Sequence, residues 1–275
     1  MSSLNKKGAS MKFLASIKKC TITLVLLCSF ISTQVKSIDK SNIHYVLQKY
    51  ERKIRNRECL FYPAKNPKRL CIFFTGLKKN TYIMWSWFWD QHENWQDTAY
   101  LFIKDDDACW YLGNHKKSFI DDYSAIIKHF MDICKLSRKN VFAIGGSMGG
   151  YAAIFYATLL QLRAVIAINP QVQKANQKLR DFSDIGDRWQ ELEKFVKSSN
   201  YVPDISLIYS RSPRDEANGH ALLNVLKNKG SLVILRRHNS PHHTGGANLT
   251  KKFVESEIAY FENQESMNSA TLKMV

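Results

Sequence analysis

The chain has 275 residues with 45% hydrophobic and 12% aromatic content, enough for one large α/β domain with a real core and no need for a second. Its formal net charge is +16, which directs it toward anionic partners such as acidic glycans or anionic lipid. Nucleic acid is excluded as the reading, because no aromatic-basic RNA motif, zinc spacing or helix-turn-helix pattern accompanies the charge.

At the N-terminus, Lys6, Lys7, Lys12, Lys18 and Lys19 precede the apolar run TITLVLLCSFI over 21–31. That pattern predicts a secretory leader or membrane anchor over 1–37, with an apolar run over 21–31 that is too short to cross a bilayer comfortably. VKS at 35–37 is a tolerable cleavage site, whereas LVLLC is a poor lipobox with Leu27 before Cys28. The expected location is the bacterial periplasm or cell surface, with membrane association through the N-terminus. If 21–31 is not a signal, the location is cytoplasmic. Six of the sixteen excess charges lie in the leader, which leaves ten on the rest. Cys59, Cys71, Cys109 and Cys134 match no metal spacing, so no metal is expected, although a Cys59–Cys71 bridge is conceivable in an oxidising compartment.

From residue 38 to 262 the pattern is of one domain. LCIFFTG (70–76) and AYLFI (99–103) read as buried strands. Between them, MWSWFWDQHENW (84–95) carries Trp85, Trp87, Trp89 and Trp95. Trp87 and Trp89 are candidate platforms for sugar rings, against the plainer expectation that these aromatics fill core. DDDACWYLG (105–113) lacks the spacing of a calcium loop, so its aspartates are expected to turn and cap the chain. FIDDYSAIIKHFMDICKL (119–136) has helical spacing. NVFAIG (140–145) reads as a strand, MGGYAAIFYATLLQL (148–162) as a buried helix, and RAVIAINP (163–170) as a strand stopped by proline. Residues 171–203 are polar and helix-rich, a cap insertion. DISLIYS (204–210) and SLVILRR (231–237) are strands flanking the helix HALLNVLKN, and ANLTKKFVESEIAYF (247–261) is a final amphipathic helix. A polar, flexible tail is expected over 263–275. Strands alternating with helices, with apolar central strands, predict a mainly parallel sheet covered on both faces.

Chemistry concentrates in AIGGSMGGYAA (143–153). A Walker loop would need a Lys-Ser/Thr pair, and GGSMGG does not fit the dinucleotide fingerprint. The segment fits G-x-S-x-G between a strand and a helix, a nucleophile elbow with Ser147 at its tip. Such a serine needs an acid and then a base later in the chain. Asp215, just past the strand 204–210, is the candidate acid. Asp204 precedes that strand and Glu216 would point elsewhere. The base follows the last strand, in RRHNSPHHTGG. His238 is close to the strand end, whereas His242 and His243 lie deeper in the loop. The oxyanion hole needs two backbone N–H groups, one from Met148 and one from Gly76 or Leu77.

These motifs, with VIAINPQ (165–171), resemble the α/β-hydrolase superfamily from about Leu70 to Phe261. They are most similar to the small bacterial branch that includes capsular-polysaccharide O-acetyltransferases, where a G-x-S-x-G-G elbow is followed by a strand ending in an Asn-Pro-Gln type motif, here Asn169, Pro170 and Gln171. The resemblance implies an α/β-hydrolase fold, Asp215 as acid and His243 as base. It also implies an acyl-serine enzyme acting as O-acetyltransferase or O-acyl esterase on a surface glycan. No cofactor is required, with acetyl-CoA the candidate donor if the enzyme is a transferase. The alternatives are a carboxylesterase or lipase on small esters, or a non-catalytic assembly protein on the same fold.

Overall fold

The computed structural model describes residues 43–77, 81–89, 97–174, 185–243 and 250–272, with side chains described except at 88–89 and 265–272. The expected leader over 1–37 lies outside them. Among the described residues no helix is long and apolar enough to cross a membrane.

Eight strands among the described residues form one sheet. They are β1 (Glu51–Ile54), β2 (Arg57–Tyr62), β3 (Arg69–Phe74), β4 (Thr98–Ile103), β5 (Val141–Gly146), β6 (Ala164–Ile168), β7 (Asp204–Ser210) and β8 (Val233–His238). The order is β1-β2-β4-β3-β5-β6-β7-β8. Only the pairs β1–β2 and β2–β4 are antiparallel, so β3 through β8 all run the same way. The loops that follow these strands therefore share one edge of the sheet. The β1–β2 hairpin is the part that the sequence pattern did not separate, because ERKI in β1 is a polar edge strand with no buried face.

Strand alternation divides the core. Leu70, Ile72 and Phe74 face one layer, and Cys71 and Phe73 the other. The first layer holds α3 (Ile120–Cys134) and α4 (Met148–Leu160), together with the buried Leu192 and Val196 of α5 (Leu192–Ser198) and Leu222 and Leu226 of α6 (Pro213–Leu226). The second holds α1 (Ile43–Tyr50) and α7 (Lys251–Leu272), which buries Val254, Ile258 and Phe261 at helical spacing. The short α2 spans Trp85–Trp89. Helix α4 is buried from Met148 through Thr158, as its all-round apolar sequence requires. The buried face of α3 carries Tyr123, Ile126, Ile127 and Phe130, while Ile133 is exposed.

Two expectations change. The Cys59–Cys71 bridge does not form: both thiols are free. Cys59 and Cys71 lie on β2 and β3 with β4 between them, and they face opposite layers. Two strand spacings exceed disulfide reach. Burial raises the Cys59 thiol to about 12, which leaves it unreactive at neutral pH. Helix α7 is described through Leu272, with no proline or glycine in ENQESMNSATL to break it. Helix α6 begins at Pro213, seven residues before the helical run read from the pattern. Ser212 caps it by accepting from the Asp215 N–H, with proline in the first turn. Of the cap insertion, a one-turn helix at Gly186–Arg188 and α5 are described. The aspartate reading holds: Asp105 is buried and accepts the Cys109 and Tyr111 N–H groups at 2.7 and 2.9 Å.

Candidate active site

The site grows out of the parallel sheet edge. Strand β5 ends at Gly146 and α4 starts at Met148, so Ser147 alone makes the turn, at φ 57° and ψ −122°. This is left-handed backbone on a residue with a Cβ, a costly conformation that the neighbours enforce. The Ser147 N–H donates to the Ile168 carbonyl at 2.8 Å, and the Ser147 carbonyl accepts from Tyr151 and Gln171 N–H at 3.1 and 3.3 Å. The glycines are there for close approach. A Cβ on Gly145 would lie 2.2 Å from the Gly149 carbonyl oxygen, and one on Gly149 would lie 2.1 Å from that of Phe74.

Two further loops bring the partners. His243, after β8, places Nε2 2.9 Å from Ser147 Oγ and Nδ1 2.7 Å from Asp215 Oδ1. Asp215, in the first turn of α6, is buried. Its second oxygen accepts the Ser210 hydroxyl at 2.5 Å. Burial pushes the Asp215 carboxyl up, but hydrogen bonds from His243, Ser210 and Ser212 outweigh it and hold the group below the ordinary carboxylate range. An ionised Asp215 keeps the proton on Nδ1 and leaves Nε2 free to take the serine proton. Ser147, His243 and Asp215 thus form a serine–histidine–aspartate catalytic triad, in the order along the chain that an elbow serine demands.

No family model and no curated protein matches the chain. Solved structures do. The capsule O-acetyltransferase of Neisseria meningitidis serogroup A superposes with a TM-score of 0.59 at 14% identity, covering 76% of this chain and 93% of that one. FphF, a fluorophosphonate-binding serine hydrolase of Staphylococcus aureus, gives 0.55 at 14% identity over 74% and 92%. The acylaminoacyl peptidase of Pyrococcus horikoshii gives 0.57 at 14% identity over 80% of this chain and 42% of that one. This is an α/β-hydrolase fold.

An α/β-hydrolase fold with an assembled triad is that of a hydrolytic or acyl-transfer enzyme. The competing residues fall elsewhere. Asp204 sits at the opposite edge of the sheet, bonded to Arg163 and to the Leu232 N–H. Glu216 pairs with Arg237. His238 ends β8 and its Nδ1 accepts the Ser240 N–H, while His242 is exposed. Sequence order alone left His242 beside His243; the fold separates them, since adjacent residues of a loop project differently.

Of the other expected site residues, Met148 opens α4 and is fully buried. Gly76 lies against the elbow, where a Cβ would be 3.3 Å from the Gly146 carbonyl oxygen and 3.9 Å from Ser147 Cβ. Leu77 is half-exposed. Trp87 is half-buried and packs on the second core layer with Met84 and Trp85. Trp89 ends α2, and its side chain lies outside the described residues. The sequence reading passed over Ser210 and Ser212. The signal for Ser212 was present in Ser-Pro-Arg-Asp, a helix-capping sequence; Ser210 carries no such local mark.

Proposed function

We propose that the enzyme is an O-acetyltransferase or O-acyl esterase of a bacterial surface polysaccharide, working through an acyl-serine intermediate. Ser147 Oγ attacks the ester or thioester carbonyl as His243 Nε2 takes its proton. Collapse of the tetrahedral adduct breaks the bond to the leaving alkoxide or thiolate, which receives that proton from His243. Water or a sugar hydroxyl then attacks the acyl-serine, its proton passing through His243 back to Ser147. Throughout, Asp215 stabilises the imidazolium.

In this reading the Met148 N–H and the N–H of Gly76 or Leu77 hold the oxyanion. Support comes from the position of Gly76 against Ser147 and of Met148 at the positive end of α4. The glycan assignment draws on the structural likeness to the meningococcal capsule enzyme, on the basic charge of the chain and on the tryptophan-rich segment after β3. Acetyl-CoA is the candidate donor substrate, because a structure of that capsule enzyme contains CoA. Export or anchoring through 1–37 would place the enzyme where such polymers lie.

The observation that carries the reading is the Ser147–His243–Asp215 geometry. Fluorophosphonate labelling tests the acyl-enzyme: wild type labels at Ser147 and Ser147→Ala does not. Mass spectrometry of capsule-type glycans incubated with and without acetyl-CoA tests the rest. A gain of 42 Da per acetyl group, a value set by its covalent chemistry alone, identifies a transferase, and its loss from an acetylated glycan identifies an esterase. Turnover of small esters with neither change would leave the carboxylesterase reading standing.

A further inference from the structure

The Asn169-Pro170-Gln171 segment takes no part in the triad, yet it is built into the same edge of the sheet. Asn169 has φ 45°, left-handed backbone, and its N–H donates to the Ile208 carbonyl at 2.7 Å. Its side-chain oxygen turns to β7 and accepts the Ser210 N–H at 2.7 Å. Gln171 meanwhile reaches the elbow, its N–H donating to the Ser147 carbonyl, and its side-chain oxygen accepts the Trp110 indole N–H at 2.7 Å. One short segment therefore grips both the nucleophile turn and the strand end that precedes the acid.

Ser210 is fully buried, and its hydroxyl has two neighbours. The Ser212 N–H donates to Ser210 Oγ at 3.3 Å, which uses the oxygen as acceptor. The single hydroxyl proton is then left for Asp215 Oδ2 at 2.5 Å. With Oδ2 occupied, Oδ1 is the oxygen presented to His243. The titratable and charged groups facing the carboxylate are the His243 imidazole from the loop after β8 and the Arg214 guanidinium from its own helix, with Nε 3.7 Å from Oδ1.

We propose that Ser210 is a positioning residue of the catalytic acid, itself held in place by the Asn169 side chain. It acts through Asp215 and does not touch substrate. Its hydroxyl fixes the carboxylate plane and satisfies the oxygen that faces away from the imidazole. A hydrogen bond to a buried ion contributes enough for its loss to slow acylation by about tenfold to a hundredfold.

The role rests on the acyl-enzyme reading of the triad, and the test separates the two. Ser210→Ala, Ser210→Cys and Ser210→Thr are assayed on p-nitrophenyl acetate, with fluorophosphonate labelling of wild type as reference. Ser210→Ala is expected to lose kcat with KM unchanged, because the carboxylate that orients the imidazole is no longer held in its plane. Ser210→Cys fills the same space with a weak donor and behaves like Ser210→Ala; it serves if the alanine variant does not fold. Ser210→Thr, which keeps the hydroxyl, restores most of kcat. Asn169→Gly, which tolerates the left-handed backbone, gives a smaller loss of the same kind. Full activity in the alanine or cysteine variant overturns the role, as does a loss carried by KM rather than kcat, or equal loss in the cysteine and threonine variants. A wild type that neither labels nor turns over the ester overturns the acyl-enzyme reading itself, and this role with it.

Discussion

Gly149→Ala places the most direct load on the elbow. The added Cβ would stand 2.1 Å from the Phe74 carbonyl oxygen, 2.8 Å from its carbon and 3.0 Å from the Thr75 carbonyl carbon. Ordinary carbon–oxygen contacts begin near ~3.3 Å, so the clash is about 1.2 Å deep. Strand β3 cannot yield, because β4 and β5 hold it on both sides. Helix α4 must lift instead, and it carries Met148 and the backbone after Ser147 with it. Alanine in place of glycine gains about 1 kcal/mol of helix propensity. Overpacking against rigid backbone costs about 1–3 kcal/mol. The net is a destabilisation of up to about 2 kcal/mol, or a fall in Tm of roughly 4–8 °C at about 2–4 °C per kcal/mol for a domain of this size. Catalysis suffers more, because a displacement of about 1 Å at the reacting atoms costs on the order of a hundredfold. The assay is steady-state hydrolysis of p-nitrophenyl acetate beside a thermal melt. Gly150→Ala is the graded comparison: its nearest contact would be Pro170 Cα at 3.1 Å, and a milder effect is expected. Wild-type activity and Tm in Gly149→Ala would refute the claim that close packing of α4 on β3 sets the nucleophile.

His243→Ala abolishes acyl turnover while His242→Ala and His238→Ala keep most of it; equal loss in His242→Ala, measured on the same ester, would contradict the assignment. Asp215→Asn loses activity by about four decades, since an amide favours the wrong imidazole tautomer. Because the folded Asp215 carboxyl is held below its unfolded value near ~3.9, its stabilisation is fully present above that pH and is lost as pH falls through the folded value. Melts across the acid range should therefore show a shallower decline in Asp215→Asn than in wild type. Trp87→Ala weakens polysaccharide turnover more than turnover of p-nitrophenyl acetate if Trp87 seats sugar. Parallel loss on both substrates would make it a core residue only, in keeping with its packing against the second core layer.

The sequence by itself determined the parts of this protein that local patterning controls. Apolar runs such as LCIFFTG and RAVIAINP can bury both faces only as central strands, so the parallel sheet was legible. GGSMGGYAA declared the elbow because only glycine fits where backbone meets backbone, as Gly145 and Gly149 do. Chain order then named Asp215 and reduced the base to a few histidines. The tertiary structure decided what depends on distance between segments far apart in the chain. His243 lies 96 positions from Ser147, and only the shared edge of parallel strands brings its Nε2 to the serine while leaving the adjacent His242 exposed. Ser210 carries no local signature, and the Asn-Pro-Gln motif marks Asn169 without showing what its side chain holds. They matter because β6 and β7 are neighbours in register, which sets an amide oxygen on one strand end against an N–H on the other, with a buried carboxylate five residues on. Alternation along a strand fixes which face a residue takes, but not which strand lies beside it. Cys59 and Cys71 were therefore open to pairing in the sequence, and stand on opposite faces in the fold.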